Sequence, residues 1–235
     1  MLPQPPPDAE APPASEPAIR SQRKWNWLMG VGIAAILICL LFGLKRPLVI
    51  RSHRNGNQTE AVSNARQIGL ALFDFDAEYG KYPDQTTIVK VREKTGSGLN
   101  LGMTSSNDFF RQLVAGNFTQ SERMFHAEIP GAHKADDVIV GMDALKKGEV
   151  GFSYLSGLSS KGNPSRPLAV TPLIPGTDRF DPKPFKGKAV ILRIDNSVSS
   201  LPINKHGHVM VDGRNLLDPG HPVWGGEKWT LVWPE

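Results

Sequence analysis

Cysteine is almost missing from this chain: Cys39 is the only one in 235 residues. That excludes an internal disulfide framework, and any zinc site needing two or more thiolates. Excess charge of either sign is also missing, apart from one local cluster. The formal net charge is +4, and Arg20, Arg23, Lys24, Lys45 and Arg46 all flank a single apolar run. With that cluster set aside the chain is close to neutral, so no basic face for nucleic acid is expected. There is no G-x-S-x-G, P-loop, G-x-G-x-x-G or H-E-x-x-H, and these are the motifs that place a nucleophile, a phosphate or a metal. We expect no enzyme and no catalytic residues. Gly (23) and Pro (20) are numerous, about 18% of the chain against a usual ~12%. They follow no collagen-like period, and 40% hydrophobic residues fit a folded, loop-rich protein.

What stands out most is the run between the basic clusters. Trp27–Leu44 reads WLMGVGIAAILICLLFGL, without a charge. As a helix it would span ~27 Å, close to the ~30 Å hydrocarbon core of a bilayer. Trp25 and Trp27 stand at one end, where indole rings favour the membrane interface. A cleaved secretory signal has the same order of basic then apolar residues, but a normal h-region is only ~7–15 residues long. Lys45-Arg46-Pro47 also offers no small-x-small cleavage pattern. The expectation is a retained single-pass anchor over 25–46, with Trp27, Leu28, Ile33, Ile36, Leu40 and Leu44 facing lipid. Flanking charge does not decide its orientation, because Lys45, Arg46, Arg51 and Arg54 follow the span as Arg20, Arg23 and Lys24 precede it.

The rest of the chain divides around this anchor. Residues 1–24 hold seven prolines between Pro3 and Pro17 and read as a disordered tail, because such a segment buries too little apolar surface to offset its ordering entropy. Residues 47–57 read as a juxtamembrane hinge, with Asn55-Gly56-Asn57 as a helix breaker. Residues 58–235 are the folded part. It opens with Ala61, Ala65, Ile68, Leu72, Phe75 and Tyr79, spaced by threes and fours, which predicts one apolar stripe of an amphipathic helix. Asn64, Asp74, Asp76 and Glu78 lie off that stripe. Thr59 is the expected N-cap and Gly80 the C-cap, with Pro83 just beyond.

After Pro83 the pattern changes to short runs of strand type, at 151–155, 168–171, 189–194, 208–211 and 229–233, separated by Gly, Asn and Pro turns. In the last run Trp229, Leu231 and Trp233 share a face. One more helix is expected near 107–115, capped by Ser106 or Asn107. The fold class is therefore α+β, a long helix packed on a mostly antiparallel sheet.

The segment EAVSNARQIGLAL (Glu60–Leu72) leads to Glu78-Tyr79-Gly80-Lys81-Tyr82-Pro83-Asp84. Together they resemble bacterial type IV pilin-like proteins, most of all the major pseudopilins of type II secretion systems. Glu60, Asn64, Arg66, Gln67, Ile68, Tyr79, Gly80, Tyr82 and Pro83 carry the resemblance, and Pro47 stands where that family often has a kinking proline. It covers residues ~28–84. It implies a membrane helix running into an exported spine helix with a small sheet packed on it. By the resemblance the protein is a structural or assembly protein of the bacterial envelope, in the inner membrane, with its N-terminus cytoplasmic and its C-terminal domain periplasmic. Its implied partners are the lipid bilayer and other pilin-like or secretion-system proteins. The alternative is an anchored extracytoplasmic binding module.

The chain departs from that family before the apolar run. The prepilin peptidase Gly and the Glu that follows it are missing: Arg23-Lys24-Trp25-Asn26-Trp27 stands there, and nothing acidic lies within Trp25–Leu44. An unprocessed N-terminus and no fibre role are expected. The resemblance also raises calcium in a loop near the C-terminus. Asp178, Asp181 and Asp195 could supply oxygens, but nothing resembles a D-x-D-x-D-G loop. His206 and His208, with His221, could ligate zinc, but no spacing completes a set. No metal and no cofactor are expected, and Asp136-Asp137 reads as a solvated turn.

Overall fold

The computed structural model describes the backbone of residues 17–140 and 144–235, and the side chains of 27–39, 56–140 and 144–235. The chain forms two units, Met1–Arg51 and Ser52–Glu235. Helix α1 covers Pro17–Tyr79. It starts at a proline, whose fixed φ suits a first helical position, so Pro17–Lys24 are helical and not part of an irregular tail; residues 1–16 lie outside the described residues. Residues 47–57 are helical as well, and no new helix begins at Thr59. A single interior Gly costs only ~0.5–1 kcal/mol relative to Ala, too little for Gly56 to interrupt the helix.

In the first unit, every described side chain from Trp27 to Cys39 is exposed. Among the described residues no helix is long and apolar enough to cross a membrane. The remainder of the expected span, including Leu40 and Leu44, lies outside the residues whose side chains are described.

The second unit is α+β. It contains the end of α1, helices α2 (Thr87–Thr95) and α3 (Ser106–Ala115), and strands β1 (Ser153–Ser156), β2 (Pro167–Thr171), β3 (Lys188–Arg193), β4 (Val198–Pro202), β5 (Met210–Val211), β6 (Arg214–Asn215) and β7 (Thr230–Val232). Five strands form one sheet in the order β4-β3-β2-β1-β7, every neighbour antiparallel. β5 and β6 make a separate hairpin. Consecutive residues of β1 and β2 are all buried. Because neighbouring side chains point to opposite faces, both faces of the sheet must be covered there. β4 is a half-exposed edge.

The stripe of α1 supplies part of that cover. Ala61, Ala65, Ile68, Leu72 and Phe75 are fully buried, in one cluster with Val190, Ile191 and Leu192 of β3. Tyr79 is half-buried and packs on Phe75 at 4.5 Å between ring centroids. Two residues expected on the polar side are buried instead. Asn64 donates to the carbonyls of Arg123 and His126, and Asp76 accepts from the Ser160 amide and hydroxyl. Each fastens a loop to the helix. The outer face carries Leu70 and Phe73, both more than half exposed.

Gly69 faces inward where α1 meets the β3–β4 turn. A Cβ there would stand 2.9 Å from Leu192 Cδ1 and inside contact distance of Asn196 Oδ1. Without a Cβ, the helix backbone can lie directly against these two side chains. α1 ends at Gly80, whose φ of 81° suits a left-handed cap. Tyr82 and Pro83 then enter the core, where the Tyr154 hydroxyl donates to the Pro83 carbonyl.

α2 and β4 were not expected. Thr87, Ile88, Val89 and Val91 of α2 are β-branched and poor helix formers. The helix forms because Asp84 Oδ1 accepts from the Thr86 and Thr87 amides, Thr87 bonds Gln112 of α3, and Ile88 and Val91 are buried. α3 is capped by Ser105, in a full capping box with Asp108, one residue earlier than expected.

Candidate functional site

The long segment between α3 and β1 contains no strand among its described residues. Its backbone polar groups find partners in turns, in neighbouring loops and in side chains, and acidic residues supply several. Glu122 stands at the start of a 3-10 turn, Arg123–Phe125. Its amide donates to Asp137 Oδ1, which also takes the Ser121 hydroxyl, while Asp137 Oδ2 pairs with Arg123. Asp137 holds a φ of 64°, a conformation Asp tolerates better than most residues. These bonds join residues 121–123 to 136–137.

A third piece closes on them. Leu145 donates its amide to Glu122 Oε1 at 2.5 Å. Glu149 accepts from the Lys146 amide at 2.6 Å and from the Asp136 amide at 3.2 Å. α3 holds this piece from behind: Arg111 donates to the carbonyls of Ala144 and Leu145, and Asn107 to those of Leu145 and Lys146.

The result is a cluster of carboxylates from three distant points of the chain. One oxygen each of Glu122, Asp136 and Glu149 lies within 4.8 Å of the others. Glu122 and Glu149 are buried, and Asp136 forms an exposed rim. Asp136 accepts from Lys146 Nζ at 2.8 Å and from the Val138 amide, and these bonds hold its carboxyl below the usual range. Glu122 goes the other way. Burial raises its pKa, and repulsion from Glu149, Asp136 and Asp137 adds to that, against the lowering effect of the Leu145 amide. Its Oε2 is buried and has no hydrogen-bond partner. Sequence reasoning missed this cluster. Asp136-Asp137 read as a solvated turn, and nothing in the spacing of Glu122 and Glu149 marks them.

Of the ligand candidates read from sequence, His208 Nε2 comes within 3.9 Å of Asp178 Oδ2, but among the described residues no three of them form a common ligand set. His206 lies in a turn, and its amide, like that of His208, bonds Asn204 Oδ1. Both ring nitrogens of His221 are engaged, with the Val223 amide and the Val211 carbonyl. Asp181 and Asp195 close their own turns on Lys183 and Ser197, and Asp178 bonds Asn215. The aromatic end is packing. Trp224 is fully buried, lies 4.5 Å from Trp229 between centroids and donates to the Leu216 carbonyl. In β7 the more buried position is Val232, with Trp229, Leu231 and Trp233 half-covered.

Close to the C-terminus lies a groove of about 460 Å³, lined among others by Ile129, Pro130, Leu173, Ile174 and Pro234, with Lys147 and Glu235 also on its wall. No protein-family model, no curated protein and no solved structure matches this chain.

Proposed function

We propose that this chain is a membrane-anchored, pilin-like structural or assembly protein of the bacterial envelope, linked to type II secretion or pilus machinery. The observation that carries the reading is the exposed apolar helix of the first unit. Trp27 is 70% exposed, Leu28 60%, Ile33 57% and Ile36 62%, and no charge interrupts the sequence from Trp27 to Leu44. Large contiguous apolar surface of this kind marks contact with a membrane or another protein. In the second unit, the helical stripe buried in the same cluster as an antiparallel sheet is the arrangement that the pilin-like resemblance implies. On this reading the N-terminus is cytoplasmic and the folded unit periplasmic. A domain of this size is translocated largely regardless of flanking charge.

The test is fractionation with a topology reporter. The full chain should stay in the membrane pellet through alkaline carbonate. Alkaline phosphatase fused after Glu235 should be active, and a cytoplasm-only reporter there should be silent. Release by carbonate, or the opposite reporter pattern, refutes the anchor or its orientation. Copurification of pilin-like or secretion-system proteins from detergent extracts tests the link to that machinery. One observation favours a second reading, an anchored binding module: the apolar groove between Ile129 and Ile174 has the volume of a small-ligand site.

A further inference from the structure

We propose that Glu122, Asp136 and Glu149 bind one divalent cation of the calcium type, which locks the segment between α3 and β1 onto the rest of the second unit. The ligand set is all carboxylate, which selects hard cations over thiolate- or imidazole-seeking metals. Calcium takes oxygens at ~2.3–2.6 Å, so oxygens on opposite sides of the ion stand ~4.6–5.2 Å apart. The three carboxylates already meet that condition, all within 4.8 Å.

A second observation points the same way. Acidic clusters on protein surfaces are solvated and satisfied, but here the Glu122 side chain is fully buried, with Oε2 unpartnered. Oε1 is occupied by the Leu145 amide, and both oxygens of Glu149 hold backbone amides. Each carboxylate is thus fixed in direction by the backbone. Lys146 offsets the exposed rim at Asp136, whereas the unpartnered oxygen lies in the buried part. Carboxylates keep lone pairs after accepting one hydrogen bond, so the amides that orient Glu122 and Glu149 leave them able to ligate. None of these residues is among Asp178, Asp181 and Asp195.

The consequence is mechanical. The three ligands come from residues 122, 136 and 149, and the third piece is bonded to α3 through Arg111 and Asn107. It reaches the C-terminus through the Gly148 amide and the Glu235 carbonyl. An ion at the cluster therefore joins a strandless stretch to a helix and to the C-terminal end of the sheet layer.

The experiment uses the full-length protein in detergent, stripped with EGTA and titrated with CaCl2 by calorimetry and by thermal melting. One ion should bind per chain and raise the melting temperature. At a free concentration 100-fold above Kd the folded-to-unfolded ratio rises about 100-fold. Glu122→Gln keeps an acceptor for the Leu145 amide. It should fold, lose at least about tenfold in affinity and melt without calcium at or above the cation-free wild type. Asp136→Asn, on the exposed rim, should weaken binding without lowering the cation-free melt by more than about 0.5 kcal/mol, here a factor of ~2 in the folding equilibrium. Asp178→Asn should bind as the wild type does. A wild-type melt indifferent to calcium, or Glu122→Gln and Asp136→Asn binding calcium as the wild type does, overturns the proposal. In that case the buried carboxyl is relieved by a proton.

Discussion

Two phenylalanines on one helix, two residues apart, separate the buried face of α1 from its outer face. Phe75 is fully buried, with ring centroids 4.5 Å from Tyr79 and 5.4 Å from Phe118. Phe73 is 54% exposed. The substitution Phe→Ala changes local helix propensity equally at both, so that contribution cancels in the comparison. At Phe75 it removes a buried ring and leaves a cavity, at a cost of ~3–5 kcal/mol. For a domain of this size ~1 kcal/mol shifts Tm by ~2–4 °C, so the expected fall is ~6–20 °C. At Phe73 the change should stay within ~0.5 kcal/mol, a shift of ~1–2 °C. Phe75→Leu retains most of the volume and should fall between them, which keeps the comparison informative if Phe75→Ala does not fold. The assay is calorimetric melting of full-length protein in detergent, with Trp fluorescence as a second probe, since Trp224 is buried in the same core. Equal losses at the two positions would refute the assignment of a buried and a free face. A larger loss at Phe73 would mean that Leu70 and Phe73 are covered in the protein as it exists in solution.

Gly69→Ala should destabilise by ~1–3 kcal/mol through overpacking against Leu192 and Asn196, although Ala is the better helix former. Asn196→Gly should restore much of the loss in the double variant, since Asn196 already holds a φ of 62°; a Gly69→Ala melt above the wild type would show that the β3–β4 turn yields freely. Asp84→Ala should cost ~0.5–2 kcal/mol near pH 7, because Asp84 caps the start of α2. Burial raises the Asp84 pKa, but hydrogen bonds from Lys81 and Thr86 outweigh it and hold the carboxyl below its ordinary value. A depressed folded pKa gives stability above the unfolded value of ~3.9 that is lost as pH falls through the folded one. The gap between wild type and Asp84→Ala should therefore narrow below about pH 4, and paired melts showing a constant gap would remove the charged carboxyl from the account.

The parts of this fold that sequence reveals are those where periodicity and burial agree. The three-and-four spacing from Ala61 to Phe75 locates a buried helical face, and the apolar runs near 153, 168 and 189 become the three central strands of the sheet. Elements held by specific tertiary bonds stayed hidden. α2 is β-branched and is set by Asp84 and Gln112. β4 reads Val-Ser-Ser-Leu-Pro, and its polar edge position gives no hydrophobic alternation to detect. Asn64 and Asp76 sit among exposed residues of α1 in the pattern, yet both are buried because loops arriving from residues 123–126 and 160 need partners for their backbone. Periodicity counts apolar residues, so it is blind to a polar side chain buried by what it binds.

The carboxylate cluster is the extreme case of that blindness, and the unpartnered atoms of the second unit show why it is unlike the rest. Among the described residues, buried side-chain atoms without a partner occur at Ser106, Glu122, His126, Thr171 and Asn196. An uncharged polar group in that condition costs ~1–3 kcal/mol, but an ionised carboxylate costs more. Only the Glu122 atom belongs to a carboxylate, and that side chain has two other carboxylates beside it. A proton on Glu122 would neutralise one charge and do nothing for the buried Glu149 beside it. A divalent cation shared by all three offsets the burial of Glu122 and Glu149 together and also attracts Asp136. The chain commits backbone amides from Asp136, Leu145 and Lys146 to orient these oxygens, while Glu122 Oε2 remains unbonded. Those amides account for the other bonded oxygens of the two buried glutamates, and a cation accounts for the one they leave over.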